Sequence, residues 1–258
     1  NFNLHINPVI DFTGGKDSDN DETLFTNTRG AEAYGNIDGK IGFYSFLSTT
    51  QSIFPQYVLR RVRENRAFPN EGFWKNNGAQ NFDFLHARGY LTFNLTKSIG
   101  VQTGYDKNFI GDGFRSMVLS DFSSPYLFLK LHTNVGRFQH TNLFGQLTED
   151  IIFANGISPG DGTYPTKFVS FHRLGISISK NTQIGLFETV ILPEADINLF
   201  NPVIFYRAIE QQRGSPGNVL LGLDFKFNLK NKYSFYGQFL LDEFVIDALR
   251  DGIVCLSG

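Results

Sequence analysis

Apolar and polar residues alternate with a period of two along much of this 258-residue chain. In YLFLKLHTNV (126–135) three leucines fall on one face, while Lys130 and His132 fall on the other. LGLDFKFNLK (221–230) repeats the pattern. Side chains of a β-strand point alternately to the two faces of a sheet, so this period indicates strands. Eleven such segments are predicted, at 2–12, 29–37, 40–50, 83–96, 99–106, 126–135, 138–149, 168–179, 183–191, 219–229 and 232–244.

The lengths of these segments and of their connections favour a particular kind of β protein. Many segments have about ten residues, against about 5–6 for an ordinary strand. Two- or three-residue links alternate with long connections at 51–82, 107–125 and 192–218. Tight turns at one end and long loops at the other are typical of outer-membrane β-barrels. We therefore predict an all-β fold, a transmembrane outer-membrane β-barrel of long antiparallel strands with loops folded into the lumen.

A soluble β-sandwich or a lipocalin-like barrel is the alternative, because its strands also alternate. Alternation by itself does not tell which face lies outward. The long strands, the asymmetric loops and the 28 Phe and 10 Tyr residues favour the membrane barrel. Two stretches of the long loops have helical spacing, 54–65 and 207–214.

Bulk composition excludes some function classes. The 25 acidic and 23 basic residues give a net charge of −2, whereas nucleic-acid binding requires a basic surface. The single cysteine, Cys255, excludes a disulfide framework and a cysteine-based zinc site. No apolar run approaches the 18 residues of a transmembrane helix. Since the chain starts on a strand-like segment, we expect residues 1–258 to be one barrel domain, a fragment of a longer barrel that lacks its signal peptide and last strands.

Motifs of phosphate binding and of metal binding are not evident in this sequence. It has no phosphate-binding P-loop and no complete G-x-G-x-x-G. The acidic loop GGKDSDNDET (14–23) has the alternate aspartates of a calcium loop, but it lacks the required Gly and the final Glu. The five histidines lie on separate predicted strands. We predict a non-enzymatic protein without metal or cofactor.

One enzymatic alternative stays open at this point. A barrel lumen can bring carboxylates from distant loops together, as glycoside hydrolysis requires. Sequence spacing neither supports nor excludes such a pair among Asp106, Asp112, Asp121 and Glu210.

Two polar clusters, YDKNFIGDGFRS with its following SD, and NPVIFYRAIEQQRGSP, are the candidate sites. Charges confined in a lumen need partners, and the arginines at 115, 207 and 213 have acids nearby in both clusters. These residues either form a salt-bridge network that plugs the barrel or line a sugar-binding surface. The candidates are Asp106, Lys107, Asn108, Asp112, Arg115, Asp121, Tyr206, Arg207, Glu210, Gln211 and Arg213.

The same clusters, GYDKNFIGDGFRSMVLSDFSSPYLFLKL and NPVIFYRAIEQQRGSPGNVLLGLDFKF, resemble the Bacteroidetes branch of the capsule assembly Wzi family, which includes proteins described as gliding motility protein RemB-like. The resemblance spans residues 29–247. Enterobacterial members have an Arg/Trp-rich segment where this chain has Lys107, Asn108, Phe109 and Asp112.

The resemblance implies an outer-membrane barrel, closed by internal loops, that acts as a lectin for capsular polysaccharide. It implies as partners surface polysaccharide, outer-membrane lipid and the capsule-export or motility machinery. The alternative function is an outer-membrane porin or solute channel. The two functions differ in whether the long loops fold into the lumen.

Overall fold

The computed structural model of the chain describes residues 1–18, 23–65, 68, 70–72, 74–76, 80–148, 166–196, 200, 218–230 and 232–242. Within these ranges the chain is almost entirely β-structure, with one short helix, α1 (Gln56–Asn65). The strands are β1 (Phe2–Gly15), β2 (Leu24–Ile37), β3 (Ile41–Ile53), β4 (Trp74–Asn76), β5 (Asn81–Asn94), β6 (Ile99–Asp106), β7 (Tyr126–Val135), β8 (Phe138–Thr148), β9 (Thr166–Ser179), β10 (Thr182–Leu192), β11 (Asn218–Leu229) and β12 (Tyr233–Asp242).

The strands form one sheet of the up-and-down kind. Eleven strands follow one another in chain order, and the short β4 pairs with β5 off this path. The eleven predicted strands are confirmed. The pattern missed β4, since three residues are too few to show a period. Connections at 38–40, 95–98, 136–137, 180–181 and 230–232 are short and alternate with long ones, which is the predicted rhythm.

The predicted link between β2 and β3 has the backbone geometry of a hairpin turn. Asp38 and Gly39 between β2 and β3 have φ values of 51° and 65°. Positive φ at both central residues defines the type I′ turn, whose twist matches that of the two strands it joins. Asp and Gly tolerate that conformation, so the chain reverses here within the predicted link.

Contacts divide the chain into two compact units. The first comprises 1–109, 120–131 and 150–164, and the second 110–119, 132–149 and 165–258. Strand β7 contributes to both units, which are described separately below.

In the second unit the apolar face of the sheet is exposed. Along β11, Leu223 and Phe225 are each 49% exposed, whereas Asp224 between them is 4% exposed. Leu186 and Leu174 are the register partners of Leu223 across β10 and β9, and both are exposed. A soluble protein buries such side chains and exposes the charges, so this part of the sheet has the opposite arrangement.

The first unit has the same arrangement around β3. Leu47 is 57% exposed, while Ser48 and Ser52 on the opposite face are 2% and 1% exposed. The face that carries Leu47 also carries the alternate apolar residues of the neighbouring strands. These include Phe2, Leu4, Ile6, Ile10 and Phe12 of β1 and Leu85 and Leu91 of β5, all of them exposed.

Helix α1 lies on the polar face of the first unit. Leu59 and Val62 pack with Phe82 and Phe84 of β5, which share a face with Ser52 and Thr50. Phe68 fills the centre of this cluster. The predicted helical spacing at 54–65 is thus confirmed. The long connection after β3, which contains α1, therefore folds back over the sheet. Within the described ranges α1 is too short and too polar to cross a membrane, and no other helix is present to do so.

A buried ion pair on the polar face of the second unit joins β9 to β11. Arg173 donates to Asp224 from Nε at 2.7 Å and from Nη2 at 2.5 Å. A guanidinium that binds both carboxylate oxygens has the geometry that a buried charge pair requires. Gly185 of β10, which lies between the two strands, makes room for it. A Cβ at Gly185 would lie 2.4 Å from Asp224 Oδ2.

We predict that Gly185→Ala lowers the free energy of unfolding by about 1–3 kcal/mol, because the added methyl group displaces the ion pair. Gly14→Ala is the matched control in a strand, since a Cβ there meets no atom within 4 Å. Urea unfolding in detergent, followed by tryptophan fluorescence, measures both. Equal stability of the two variants would refute the spacer role of Gly185.

Candidate functional site

The predicted site residues separate into two groups, one in each unit. Asp106, Lys107, Asn108 and Asp121 belong to the first unit, and Asp112 and Arg115 to the second. The predicted residues of the second cluster, Tyr206, Arg207, Glu210, Gln211 and Arg213, lie outside the described residues. The helical turn predicted at 207–214 lies there too.

The first group is a charged cluster at the end of β6. Asp106 is 8% exposed, and its Oδ1 lies 3.4 Å from Arg88 Nη1 of β5. The same oxygen accepts a hydrogen bond of 2.7 Å from the backbone N–H of Lys107. Arg88 also lies over the Phe46 ring, 4.4 Å from its centroid. A buried carboxylate of this kind is stabilised by its cation and its N–H donor.

The cations of this cluster are held by amide oxygens. Lys107 Nζ donates to Asn70 Oδ1 at 2.7 Å and to the Asn70 carbonyl oxygen at 3.0 Å. Lys130 Nζ of β7 donates to Asn108 Oδ1 at 2.9 Å. Asp121 is exposed, and its charge acts on Lys107 from a distance. Lys107 and Lys130 therefore have amide oxygens as partners, where the sequence suggested acids, and of the two asparagines only Asn108 was among the predicted site residues.

Burial shifts the pKa values of two loop residues here. It raises the pKa of Glu71 to about 7, against the opposing effect of the Lys107 and Arg88 charges. It lowers the pKa of Lys107, although the Glu71 carboxylate acts in the opposite direction. Glu71 Oε2 also lies 3.4 Å from His86 Nδ1 of β5. With its pKa raised in this way, the Glu71 carboxyl group takes up a proton more readily than an exposed glutamate does.

The second group lies on a loop, residues 110–119, that we call the docked loop. A bridge between Ile110 and Leu119 closes its base. Gly111 and Gly113 have φ values of 126° and 123°, a region that residues with a side chain rarely adopt. A Cβ at Gly113 would lie 2.6 Å from the Tyr236 ring. The GDG motif therefore serves close approach of this loop to β12.

Hydrogen bonds fasten the docked loop to β12. Gln238 Oε1 accepts from the Met117 N–H at 2.7 Å, and Gln238 Nε2 donates to Ser116 Oγ at 2.9 Å. Ser116 Oγ in turn donates to the Ile110 carbonyl oxygen at 2.6 Å. One glutamine thus binds two successive residues of the loop, and Ser116 connects them to Ile110 at its base. Ser116 and Val118 of this loop are buried.

An ion pair adds to these bonds. Lys226 Nζ of β11 donates to Asp112 Oδ1. The sequence suggested arginines of the two clusters as partners for the acids. Asp112 instead pairs with a lysine on the polar face of a strand 114 positions away.

The outer surface of the docked loop is aromatic and cationic. Phe114 is 89% exposed and Met117 57% exposed. The Arg115 guanidinium lies 5.9 Å from the centre of the Phe114 ring. An exposed ring beside hydrogen-bond donors is an arrangement that can contact both the apolar face and the hydroxyl groups of a sugar.

Among the described residues, no group of three or more His, Cys or acidic side chains could hold a metal ion. In the acidic loop, Asp17 Oδ2 accepts a hydrogen bond of 3.1 Å from the backbone N–H of Gln56. Asp17 thus serves the start of α1. Asp19 and Asp21 lie outside the described residues.

Several residues that complete these groups were not predicted as site residues. They are Asn70, Glu71, Arg88, Lys130, Lys226 and Gln238. For four of them a signal exists in the sequence. Arg88, Lys130, Lys226 and Gln238 occupy positions on strands where the alternation puts the polar face. Asn70 and Glu71 lie in a long connection without such a signal.

No family model and no curated protein matches the chain. Among solved structures, the chain is similar to an anion-selective porin from Comamonas acidovorans, with 10% sequence identity and a TM-score of 0.35. The match covers 94% of this chain and 90% of the porin. Such a score is too low to support an argument about fold or function. The resemblance to the capsule assembly family stays a prediction.

We predict that the Glu71 pKa makes stability fall as pH rises. Its folded-state pKa of about 7 exceeds its usual value of 4.5, so the contribution is fully present below pH 4.5 and is lost as pH passes 7. Unfolding in detergent from pH 4 to 8 should therefore show a steeper decline for the native protein than for Glu71→Gln. Glu194→Gln, at an exposed carboxyl group, is the control and should follow the native curve. Parallel curves for the native protein and Glu71→Gln would contradict the shift.

Proposed function

We propose that the chain forms the wall of an outer-membrane β-barrel that binds surface polysaccharide, without enzymatic activity. The supporting observation is the pair of opposite faces of the sheet. Exposed Leu, Ile and Phe side chains cover one face in both units, and charged or polar side chains are buried on the other. Bacterial outer-membrane barrels alternate apolar residues toward lipid with polar residues toward the lumen.

The length of the strands agrees with this proposal. Strands β1, β2, β5 and β9 each have 14 residues, and β3 has 13. A tilted strand needs about 9–11 residues to cross the hydrocarbon core. A soluble protein would expose an apolar surface of this size to water, which favours aggregation.

Binding is favoured over free passage because parts of two long connections cover the polar face. In the first unit α1 packs on β5, and in the second unit the docked loop packs on β11 and β12. In a closed barrel these segments would occupy the lumen. The exposed Phe114 and Arg115 would then face the ligand.

The resemblance to the capsule assembly family suggests the ligand, a capsular or other surface polysaccharide. A role in gliding motility and a contact with export machinery belong to the same hypothesis. The competing function is a porin or solute channel, which requires an open polar path through the barrel.

Glycan binding tests the proposal directly. We expect the purified protein to retain isolated surface polysaccharide and Arg115→Ala to weaken binding by about tenfold, the effect of losing one or two hydrogen bonds from a charged donor. Asp112→Ala should weaken it as well, because the loop loses its contact with Lys226. Lys97→Ala, at a short turn, is the control. Absence of glycan binding, or equal binding by all variants, would contradict the proposal.

Single-channel recording distinguishes a porin from the proposed binding protein. The native protein should give no steady current in a planar bilayer. Gln238→Ala removes both side-chain bonds to the docked loop and should produce transient openings. Ser234→Ala on the same strand is the control and should stay silent. A large steady current from the native protein would favour the porin.

A further inference from the structure

A polar pocket interrupts the apolar face of the first unit. It has a volume of about 470 Å³ and lies over β2, β3, β4 and β5. Seven of its lining residues belong to two neighbouring rows of the face that carries Leu47. One row is Arg29, Thr49 and Leu85, and the other is Asn27, Gln51, Asp83 and Lys75.

The pocket lies at one edge of the apolar band. From Ile41, at the short-turn end of β3, to Thr49 there are eight residues, or about 27 Å along the strand. At a strand tilt of about 40° this is about 21 Å across a bilayer, and Gln51 lies about 5 Å further. An outer-membrane barrel has an apolar band about 25 Å tall. The pocket therefore lies where acyl chains give way to lipid headgroups, on the side of the long connections.

Charges in the pocket favour an anion. Arg29 and Lys75 are exposed at its mouth, together with Thr49 and Gln51. Asp83, the carboxylate of the lining, is half-buried and lies directly opposite Lys75 in the strand pair. Two cations and one carboxylate leave a net charge of +1 around the opening.

Arg29 is oriented for such a ligand. Its Nε donates to Asn27 Oδ1 at 3.3 Å, within the same strand. This bond engages one edge of the guanidinium, and the Nη1 and Nη2 groups form the edge that can address two oxygens of a phosphate. Arginine binds phosphate in this two-point manner, whereas lysine adds a point charge.

The apolar residues around the pocket identify the source of the anion. Ile10 of β1 is the register partner of Arg29, and Phe12 is the partner of Asn27. They are 79% and 72% exposed, and Leu85 in the pocket wall is 60% exposed. A free phosphate ion gains nothing from such neighbours, whereas a lipid can lay its acyl chains on them.

We propose that this pocket binds the phosphorylated headgroup of an outer-leaflet lipid, with Arg29 and Lys75 on the phosphate and acyl chains against Ile10, Phe12 and Leu85. The proposal rests on the membrane orientation given under Proposed function. Its ligand is distinct from the polysaccharide proposed for the docked loop. The volume suits a headgroup, since small-molecule sites measure about 300–1,000 Å³.

Native mass spectrometry of the detergent-solubilised protein tests the site, with bis-phosphorylated lipid A as the probe. The variant Arg29→Gln with Lys75→Gln should lose affinity by at least about tenfold, because two charged contacts with the phosphate disappear. Lys40→Gln with Lys97→Gln removes the same charge at two short turns and should bind like the native protein. Equal affinity of all three proteins would overturn the proposal.

Two further arms distinguish the source of the phosphate. Lipid A without its phosphates should bind as weakly to the native protein as to the Arg29→Gln, Lys75→Gln variant. Millimolar inorganic phosphate should leave bound lipid A in place. Displacement by inorganic phosphate would identify a free-anion site and overturn the assignment to lipid.

A separate measurement distinguishes failure of the lipid site from failure of the proposed function. Insertion of the native protein into lipid vesicles, measured by protection from added protease, tests the membrane orientation without reference to the pocket. Insertion with unchanged lipid A binding in the variant would refute the pocket alone. Failure to insert would refute the membrane orientation, and the lipid site with it.

Discussion

The alternation of apolar and polar side chains across one sheet is the constraint on which the rest of this structure depends. In both units one face of the sheet carries exposed Leu, Ile and Phe side chains, and buried polar or charged side chains lie on the other face. Water would penalise this arrangement, because burial of apolar area is the main driving force of folding in soluble proteins. A hydrocarbon environment removes that penalty, and the backbone bonds of a long-stranded sheet satisfy its polar groups. The proposed membrane location follows from this one feature.

Charges on the buried face impose the second constraint, since a buried charge needs a partner. The structure meets it in three ways. Arg173 and Asp224 form a two-point ion pair, Lys107 and Lys130 use the amide oxygens of Asn70 and Asn108, and Asp112 meets Lys226. The last pair, together with Gln238, also holds a long loop against the sheet. The same requirement that stabilises the face thereby places Phe114 and Arg115, the residues proposed for ligand binding.

The sequence predicted the strands well, because a period of two repeated over ten or more residues is a strong local signal. It did not show which face lies outward, because alternation is the same in both orientations. Partners such as Asp112 and Lys226, 114 positions apart, depend on strand order and register, which no local pattern contains. The sequence shows Gly185 within a predicted strand and the two glycines of the GDG motif in the docked loop, but it does not show what they do. Their purpose, room for an ion pair and for Tyr236, appears only when the neighbours are known.

Lipid contact on the two faces of β11 tests the central claim most directly. Trp74, the single tryptophan, is replaced by Phe, and a new tryptophan is placed at Phe225 on the apolar face or at Asn228 on the polar face. Fluorescence is measured in bilayers of brominated lipid, which quenches tryptophan that touches acyl chains. The account predicts strong quenching at 225 and little at 228. Equal quenching at both positions, or quenching at 228 alone, would contradict it.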